Sequence, residues 1–366
     1  MFSPAPTPQP LPPSPRLLVA QTGFLGDVVL TTPLITELHR RLTPTFLSVL
    51  TTPQAYPLLE HHPAIDRVLI DAKRTAGRGI LGLWRTAQQL RRERFTLAVA
   101  PHKSLRTALL LALAGVPQRI GFRESPGWFL YHRTAMRDRQ RHEVERILCL
   151  MRAFGVEPEQ CERRPRVEYS VAAHTSAHVL LREAGVANND PVFVVCPGSV
   201  WPTKRWTVEG YGGLVRCLAR HYGRVLLCGG PDDAPISLAV NERAGGQGVN
   251  LTGRADLQTF IALVDRAKVV VSNDSAPMHI AVARDVPVVA IFCATTPSLG
   301  YGPYSERAVV VEQKDLFCRP CSRHGGHTCP RKTEDCIRSI TINDVLTGVD
   351  RVLSFLTNTT VLPPSM

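Results

Sequence analysis

The chain has 366 residues, 44% hydrophobic and 20% charged, with 43 basic and 31 acidic residues giving a net charge of +12. It is long for one domain and comfortable for two, with apolar material for a sizeable core. The positive balance suits an anionic membrane surface, a phosphorylated substrate or nucleic acid, and the lack of any zinc-finger, basic-zipper or RNA-recognition signature sets nucleic acid aside.

Residues 3–15 carry seven prolines, so residues 1–15 are expected to form a disordered, polyproline-like tail. No charged start precedes an apolar core, as a signal peptide would require. No apolar run approaches the roughly 18 residues that span a bilayer. A cytoplasmic location is therefore expected, with the ten cysteines reduced.

Leu17-Leu18-Val19-Ala20 reads as a strand, Gln21 to Gly26 as a glycine turn, and the apolar spacing through Leu34, Ile35 and Leu38 as a helix. Asp27 falls in that helix's first turn, where the macrodipole favours a carboxylate. The GxGxxG fingerprint is absent. Strands are then predicted at Thr45–Leu50, Val68–Ile70, Leu97–Ala100 and Arg119–Phe122. Helices are predicted at Tyr56–His61, Leu81–Arg94, Ser104–Ala114 and His142–Phe154. Such alternation argues for an α/β fold with a mostly parallel sheet and helices on both faces.

Glu157–Val167 is charged and poor in apolar residues, so it is the predicted linker. It separates an N-terminal domain, 16–165, from a C-terminal one, 166–341, with a final helix and tail at 342–366. The second half repeats the alternation. Helices are predicted at Ala172–Ala184, Val208–His221, Ile236–Ala244, Leu257–Ala267 and Ile342–Leu356. Strands are predicted at Val192–Cys196, Val225–Cys228, Val269–Val271 and Val286–Phe292.

The strand Val269-Val270-Val271 runs into Ser272-Asn273-Asp274-Ser275 and then a helix start. In an open α/β sheet ligands bind outside the carboxyl ends of the strands, and a helix N-terminus there favours an anion such as phosphate. Taken alone, the turn is equally well read as an ordinary N-cap.

Three motifs occur in order: Gly26-Asp27 after the first strand, Pro197-Gly198-Ser199 with Lys204-Arg205-Trp206, and Asn273-Asp274-Ser275 with Met278-His279. Together they resemble the ADP-heptose:lipopolysaccharide heptosyltransferases of glycosyltransferase family 9, and most closely the second type. The resemblance runs from Arg16 to Leu356. It implies the GT-B fold, two Rossmann-like domains facing each other across a central cleft. It implies an inverting transfer of L-glycero-D-manno-heptose from ADP-heptose to the lipid A–linked inner core of lipopolysaccharide. The N-terminal domain would hold the acceptor and the C-terminal domain the ADP-sugar.

The resemblance makes Asp27 the catalytic base, Gly26 beside it a donor-binding residue, and Lys204 a catalytic contact to the donor phosphates. It sets the backbone N–H groups of Asp274, Ser275 and Ala276 against the diphosphate, with His279 nearby. The chemistry suits these residue types. A carboxylate can accept the proton of the attacking sugar hydroxyl. A lysine, an arginine and a helix N-terminus can meet the charge growing on a departing diphosphate, so no cofactor is expected for catalysis. Arg205, Ser199 and Asn273 are further donor candidates. Asp233 or Asp232 could hold the ribose hydroxyls, or both could be plain turn residues. Trp206 is read as packing.

His102, Lys103, Arg106 and Arg146 are candidates for the acidic acceptor. The basic helix Leu81–Arg94 is a candidate for peripheral contact with the anionic leaflet of the inner membrane. A monomer is expected, without a nucleic-acid partner. Alternatives are a same-fold enzyme using another nucleotide sugar, or a non-catalytic protein binding nucleotide or lipid precursor.

Cys318, Cys321, Cys329 and Cys336 form a C-x2-C-x7-C-x6-C pattern with His324 and His327 between them. One C-x2-C pair leaves three readings open: a structural metal site, free thiols or a disulfide.

Overall fold

The computed structural model describes residues 12–73 and 77–358. Residues 1–11 of the expected tail lie outside the described residues. The chain divides into two compact units after Glu168.

The first unit contains β1 (Arg16–Ala20), α1 (Leu25–Leu42), β2 (Phe46–Thr51), α2 (Tyr56–Leu59), β3 (Arg67–Ile70) and α3 (Gly79–Arg92). It continues with β4 (Leu97–Ala100), α4 (Leu105–Leu113), β5 (Gln118–Phe122), β6 (Arg133–Ala135) and α5 (Glu143–Leu148). Its strands form one sheet in the order β3-β2-β1-β4-β5-β6, with parallel neighbours throughout. β1 and β4 are buried on both faces, which is why they read as unbroken apolar runs.

Helix α1 runs through Pro33. Proline cannot donate the N–H that would reach the Val29 carbonyl. The Thr32 hydroxyl donates to that carbonyl instead, at 2.7 Å, so the helix keeps a partner where its ladder is broken.

The second unit contains α6 (Val171–Glu183), β7 (Val192–Cys196), α7 (Val208–His221), β8 (Arg224–Leu227), α8 (Ala234–Arg243), β9 (Val249–Asn250) and α9 (Leu257–Asp265). It continues with β10 (Val269–Asn273), α10 (Ala276–Ala283), β11 (Val288–Phe292), β12 (Ala308–Glu312), α11 (Asp335–Arg338) and α12 (Ile342–Asn358). The sheet order is β12-β11-β10-β7-β8-β9, again parallel throughout. Read from β9, this is the same order as in the first unit. Phe193, Trp206, Tyr211 and Val271 share one core with Val345, Val349 and Val352 of α12.

Several expectations are adjusted. The helix expected over His142–Phe154 is α5 followed by a 3-10 stretch, Cys149–Phe154. The segment expected to be a linker is packed against α1. The N–H of Glu162 donates to Glu37 Oε1 at 3.2 Å, and that of Arg166 to Thr32 Oγ1 at 2.8 Å. Arg166 and Val167 thus go with the first unit. The final helix, set apart as its own segment, lies against β11 and β12 of the second unit.

Candidate functional site

A parallel sheet of this order reverses direction once. The crevice at that point, beyond the carboxyl ends of the two strands, is where such sheets hold ligands. The reversal falls between β1 and β4 in the first unit and between β7 and β10 in the second. Asp27 and His102 follow β1 and β4. Ser199 and Asp274 follow β7 and β10.

In the first unit, Gln21 shapes the turn after β1. Its Oε1 accepts the Gly23 N–H at 3.0 Å, and its Nε2 donates to Thr31 Oγ1 at 2.8 Å. Gly26 occupies the first turn of α1. Asp27 Oδ2 accepts the Phe24 N–H at 3.1 Å, which fixes the carboxylate at the helix start. A Cβ on Gly23 would lie 2.8 Å from that same oxygen, so glycine there leaves room for the carboxylate.

Thr22 ties Asp27's turn to the neighbouring strand ends. His102 Nδ1 lies 3.2 Å from Thr22 Oγ1, and Lys73 Nζ donates to the Thr22 carbonyl at 2.5 Å and to its hydroxyl at 3.1 Å. Burial, followed by the nearby charges of Lys73 and Lys103, pushes the His102 imidazole down to about 4. It is therefore neutral near pH 7. Arg106 grips buried Asp71 through two nitrogens, at 3.0 and 3.3 Å, and the Gly77 carbonyl at 3.0 Å. Arg146 belongs to a separate group on α5. It is buried, pairs with Glu143 at 3.4 Å beside Arg137, and donates to the Arg139 carbonyl at 2.6 Å. The structure thus groups Lys103 with His102 and gives Arg106 and Arg146 ion pairs inside the protein.

In the second unit, Lys204 Nζ lies 2.6 Å from Asp274 Oδ2, and Thr295 Oγ1 donates to the same oxygen at 2.7 Å. The Arg205 guanidinium holds the Ser199 carbonyl at 2.6 and 2.9 Å. Asp233 Oδ2 accepts the Gly230 N–H at 3.1 Å. Burial raises its carboxyl above the usual carboxylate range, against the opposing pull of that N–H and of Arg205. A Cβ on Gly198 would lie 2.1 Å from Asp233 Oδ1, so glycine lets the β7 turn approach the β8 turn.

Two donor-site expectations change. Asn273 is completely buried. Its Oδ1 accepts the Trp206 N–H at 3.0 Å, and its Nδ2 donates to the Pro197 carbonyl at 2.8 Å. It braces the turns and is closed to a ligand. The Asp274 N–H is spent on the Ile291 carbonyl at 3.1 Å, so it is not aimed at a diphosphate. The Ala276 N–H opens the first turn of α10, where an amide has no acceptor within its own helix. Ser275, the N-cap, has its hydroxyl 3.1 Å from Ser272 Oγ. His279 is buried in α10. Trp206 is core, with Nε1 donating to the Ile340 carbonyl at 3.0 Å.

The four cysteines line one cavity of about 170 Å³. Among the described residues no group of three or more His, Cys, Asp or Glu stands arranged to hold a metal. The segment carrying them packs on the Lys204 turn. Gly326 exchanges hydrogen bonds with Thr203 at 2.8 and 3.0 Å, and the His327 ring meets Trp201 edge-on. Arg319 anchors it to the carbonyls of Phe292 and Thr295.

The family model for glycosyltransferase family 9 (heptosyltransferase) matches residues 83–329, more than half of the chain. The chain belongs to glycosyltransferase family 9. It is 26% identical to lipopolysaccharide heptosyltransferase 2 of Salmonella typhimurium, over 81% of this chain and 87% of that protein. A solved family 9 glycosyltransferase from Veillonella parvula superposes with a TM-score of 0.84 at 23% identity, covering 93% of this chain and 98% of its own. The E. coli ADP-heptose lps heptosyltransferase II superposes at 0.76 and 22% identity, covering 93% and 99%. The fold is accordingly the GT-B fold of these enzymes, and the chain is a glycosyltransferase.

In each unit, residues that motif reading missed stand beside these strand-end turns. Lys73 and Thr22 meet although 51 residues separate them. Thr295 sits on Asp274 across 21 residues. Burial, then the charges of Arg323 and Lys204, lower the imidazole of His324 in the cysteine segment. Only the spacing of strand ends could have suggested these.

Proposed function

We propose that this enzyme transfers L-glycero-D-manno-heptose from ADP-heptose to the lipid A–linked inner core of lipopolysaccharide, with inversion at the anomeric carbon. The observation that carries the reading is that the motif residues stand at the reversal points of both sheets. A carboxylate stands at one and a lysine beside a helix N-terminus at the other.

Asp27 is the general base. Its carboxylate is held by the Phe24 N–H, and it takes the proton from the acceptor hydroxyl as that oxygen attacks the anomeric carbon. The ADP leaving group gains charge as the sugar departs. Lys204 and the first turn of α10 meet that charge, and no cofactor takes part. Arg205 holds the β7 turn through Ser199, and Asp233 accepts the ribose hydroxyls. One displacement with one base inverts the centre. Lys103 and Lys73, beside the neutral His102 imidazole, form the basic end of the acceptor site.

The enzyme acts as a monomer on the cytoplasmic face of the inner membrane, where a lipid-linked acceptor is presented. Among the described residues no helix is long and apolar enough to cross a membrane. The test is a panel of nucleotide sugars with a lipid A–inner core acceptor, read by mass spectrometry. A product heavier by one heptose with ADP-heptose alone is expected. Transfer from a different sugar nucleotide would reassign the donor. Neither turnover nor ADP-sugar binding would sink the reading.

A further inference from the structure

Helix α3 buries one side and exposes the other. Gly82, Thr86, Ala87 and Leu90 face inward, and Ala87 and Leu90 join Ala108, Leu110, Leu111 and Tyr131 in the core on one face of the first sheet. α3 packs against α4, and α4 against the 3-10 turn Trp128–Leu130. These three neighbouring elements form one layer over that sheet.

The outer surface of the layer is apolar where a soluble surface is ordinarily polar. On α3, Ile80 is 85% exposed, Leu81 73%, and Trp84 half exposed. At 100° per residue these three fall within one 100° sector that contains none of the buried positions. α4 adds Leu105 and Leu113, and the turn adds Trp128 and Phe129, the latter 62% exposed. Side chains of this number and size present several hundred Å² of apolar surface. In a protein with a filled core such an expanse marks a binding face.

Its electrostatics select the occupant. From Arg78 to Arg94 the chain holds five exposed arginines and a single acid, Glu93. Arg78 precedes the apolar sector of α3, and Arg85, Arg91 and Arg92 follow it on the exposed side. Apolar anchors with tryptophan among them, bordered by arginines and almost free of acids, fit the headgroup boundary of an anionic bilayer. There the aromatic rings sit at the interface and the guanidinium groups meet phosphate.

We propose that this outer face of α3, α4 and the Trp128–Leu130 turn docks the enzyme on an anionic lipid bilayer, with Ile80, Leu81, Trp84, Trp128 and Phe129 entering the interface. This deepens the proposed function, because a lipid-linked acceptor is reached from such a surface. The reading of the reaction and the reading of the face can fail separately.

The experiment is co-sedimentation of the full chain with vesicles of phosphatidylglycerol and phosphatidylcholine, and of phosphatidylcholine alone, without donor or acceptor. The parent is expected to pellet with the anionic vesicles, less as salt is raised, and to shift its tryptophan emission to the blue. The variant Ile80→Glu, Leu81→Glu, Trp84→Glu should bind at least about tenfold less, with an unchanged circular dichroism spectrum and unchanged transfer to a detergent-dispersed acceptor. Arg85→Glu with Arg91→Glu should lose the preference for anionic vesicles. The proposal is overturned if the parent pellets equally with both vesicle types or with neither. It is overturned if the triple variant binds like the parent. It is also overturned if the parent is a dimer that the triple variant splits, which would assign the face to a second copy of the chain. Loss of heptose transfer with vesicle binding intact would sink the reaction and leave the face standing.

Discussion

Lys204 Nζ and Asp274 Oδ2 stand 2.6 Å apart, both largely buried, with Thr295 Oγ1 closing on the same carboxylate oxygen. The pair joins the turn after β7 to the turn after β10. Removing one member of a buried pair leaves an uncompensated charge and costs about 3–5 kcal/mol. Lys204→Met should therefore lower the melting temperature as well as ADP affinity. Asp274→Asn should also lose stability but differ in ADP binding. The amide still accepts from Thr295, while Lys204 loses the anion that competes with a diphosphate. We expect ADP to bind the Asp274→Asn enzyme several-fold more tightly by titration calorimetry. Equal weakening in both variants would make Asp274 a group that positions the lysine, not one that competes for it.

Asp27→Asn separates base from cap. Asparagine can still accept the Phe24 N–H through its Oδ1, so the helix start survives, but it takes no proton. General-base removal typically costs a factor of about 10²–10⁴. We expect kcat to fall in that range and ADP affinity to stay unchanged, because the proposed phosphate contacts, Lys204 and the first turn of α10, belong to the second unit. Asp27→Ala should add a loss of about 1 kcal/mol in stability from the missing cap. Near-normal turnover by Asp27→Asn, measured by ADP release, would remove Asp27 from the chemistry.

The central strands were legible because their burial is written as β-branched runs. Val269-Val270-Val271 and Val192 to Cys196 need no partner to be recognised. Of the edge strands β3 was expected, β12 was missed despite its valine run, and the other two carried no signal. Arg133-Thr134-Ala135 and Val249-Asn250 are short and half polar, and only pairing with β5 and β8 makes them strands. The site divides the same way. Asp27, Lys204 and the turn after β10 lie in local motifs. Asn273 looked like a ligand contact because it stands at the carboxyl end of a central strand, within a family motif. Its partners Trp206 and Pro197 lie 67 and 76 residues away and turn it into an internal brace. Lys73 carried no local signal, since only the β3-β2-β1-β4 order brings it to Thr22.

Asp233 offers a pH test whose sign is fixed by its surroundings. Burial raises its carboxyl above the ordinary value. A raised acid favours the folded state fully below the unfolded value, near 3.9. That contribution is lost as pH climbs through the folded value. The charged form thus weighs against folding at neutral pH. Asp233→Asn keeps an acceptor for the Gly230 N–H and should raise the melting temperature near pH 7. The gain should vanish in acid. It should also weaken donor binding if the carboxylate holds ribose hydroxyls. A gain that persists unchanged at low pH would show that charge burial is not its cause.

The cysteines should separate sharply in reactivity. Nearby backbone N–H groups, foremost that of Glu334, hold the Cys329 thiol below the ordinary value against the opposing effect of burial. Lys332 and Glu334 take left-handed backbone angles, φ 62° and 56°, and such a turn directs successive amides toward one anion. Burial does the reverse elsewhere. It pushes Cys228 up to about 12 and Cys336 up to about 11, and it raises Cys321. Alkylation follows the thiolate population and access. Limiting iodoacetamide near neutral pH should therefore label Cys329 first, read by peptide mass spectrometry, and Cys329→Ser should abolish the fast phase. If Cys321 or Cys336 were modified as quickly, the amide cradle would not be what sets reactivity in the cavity the four cysteines share.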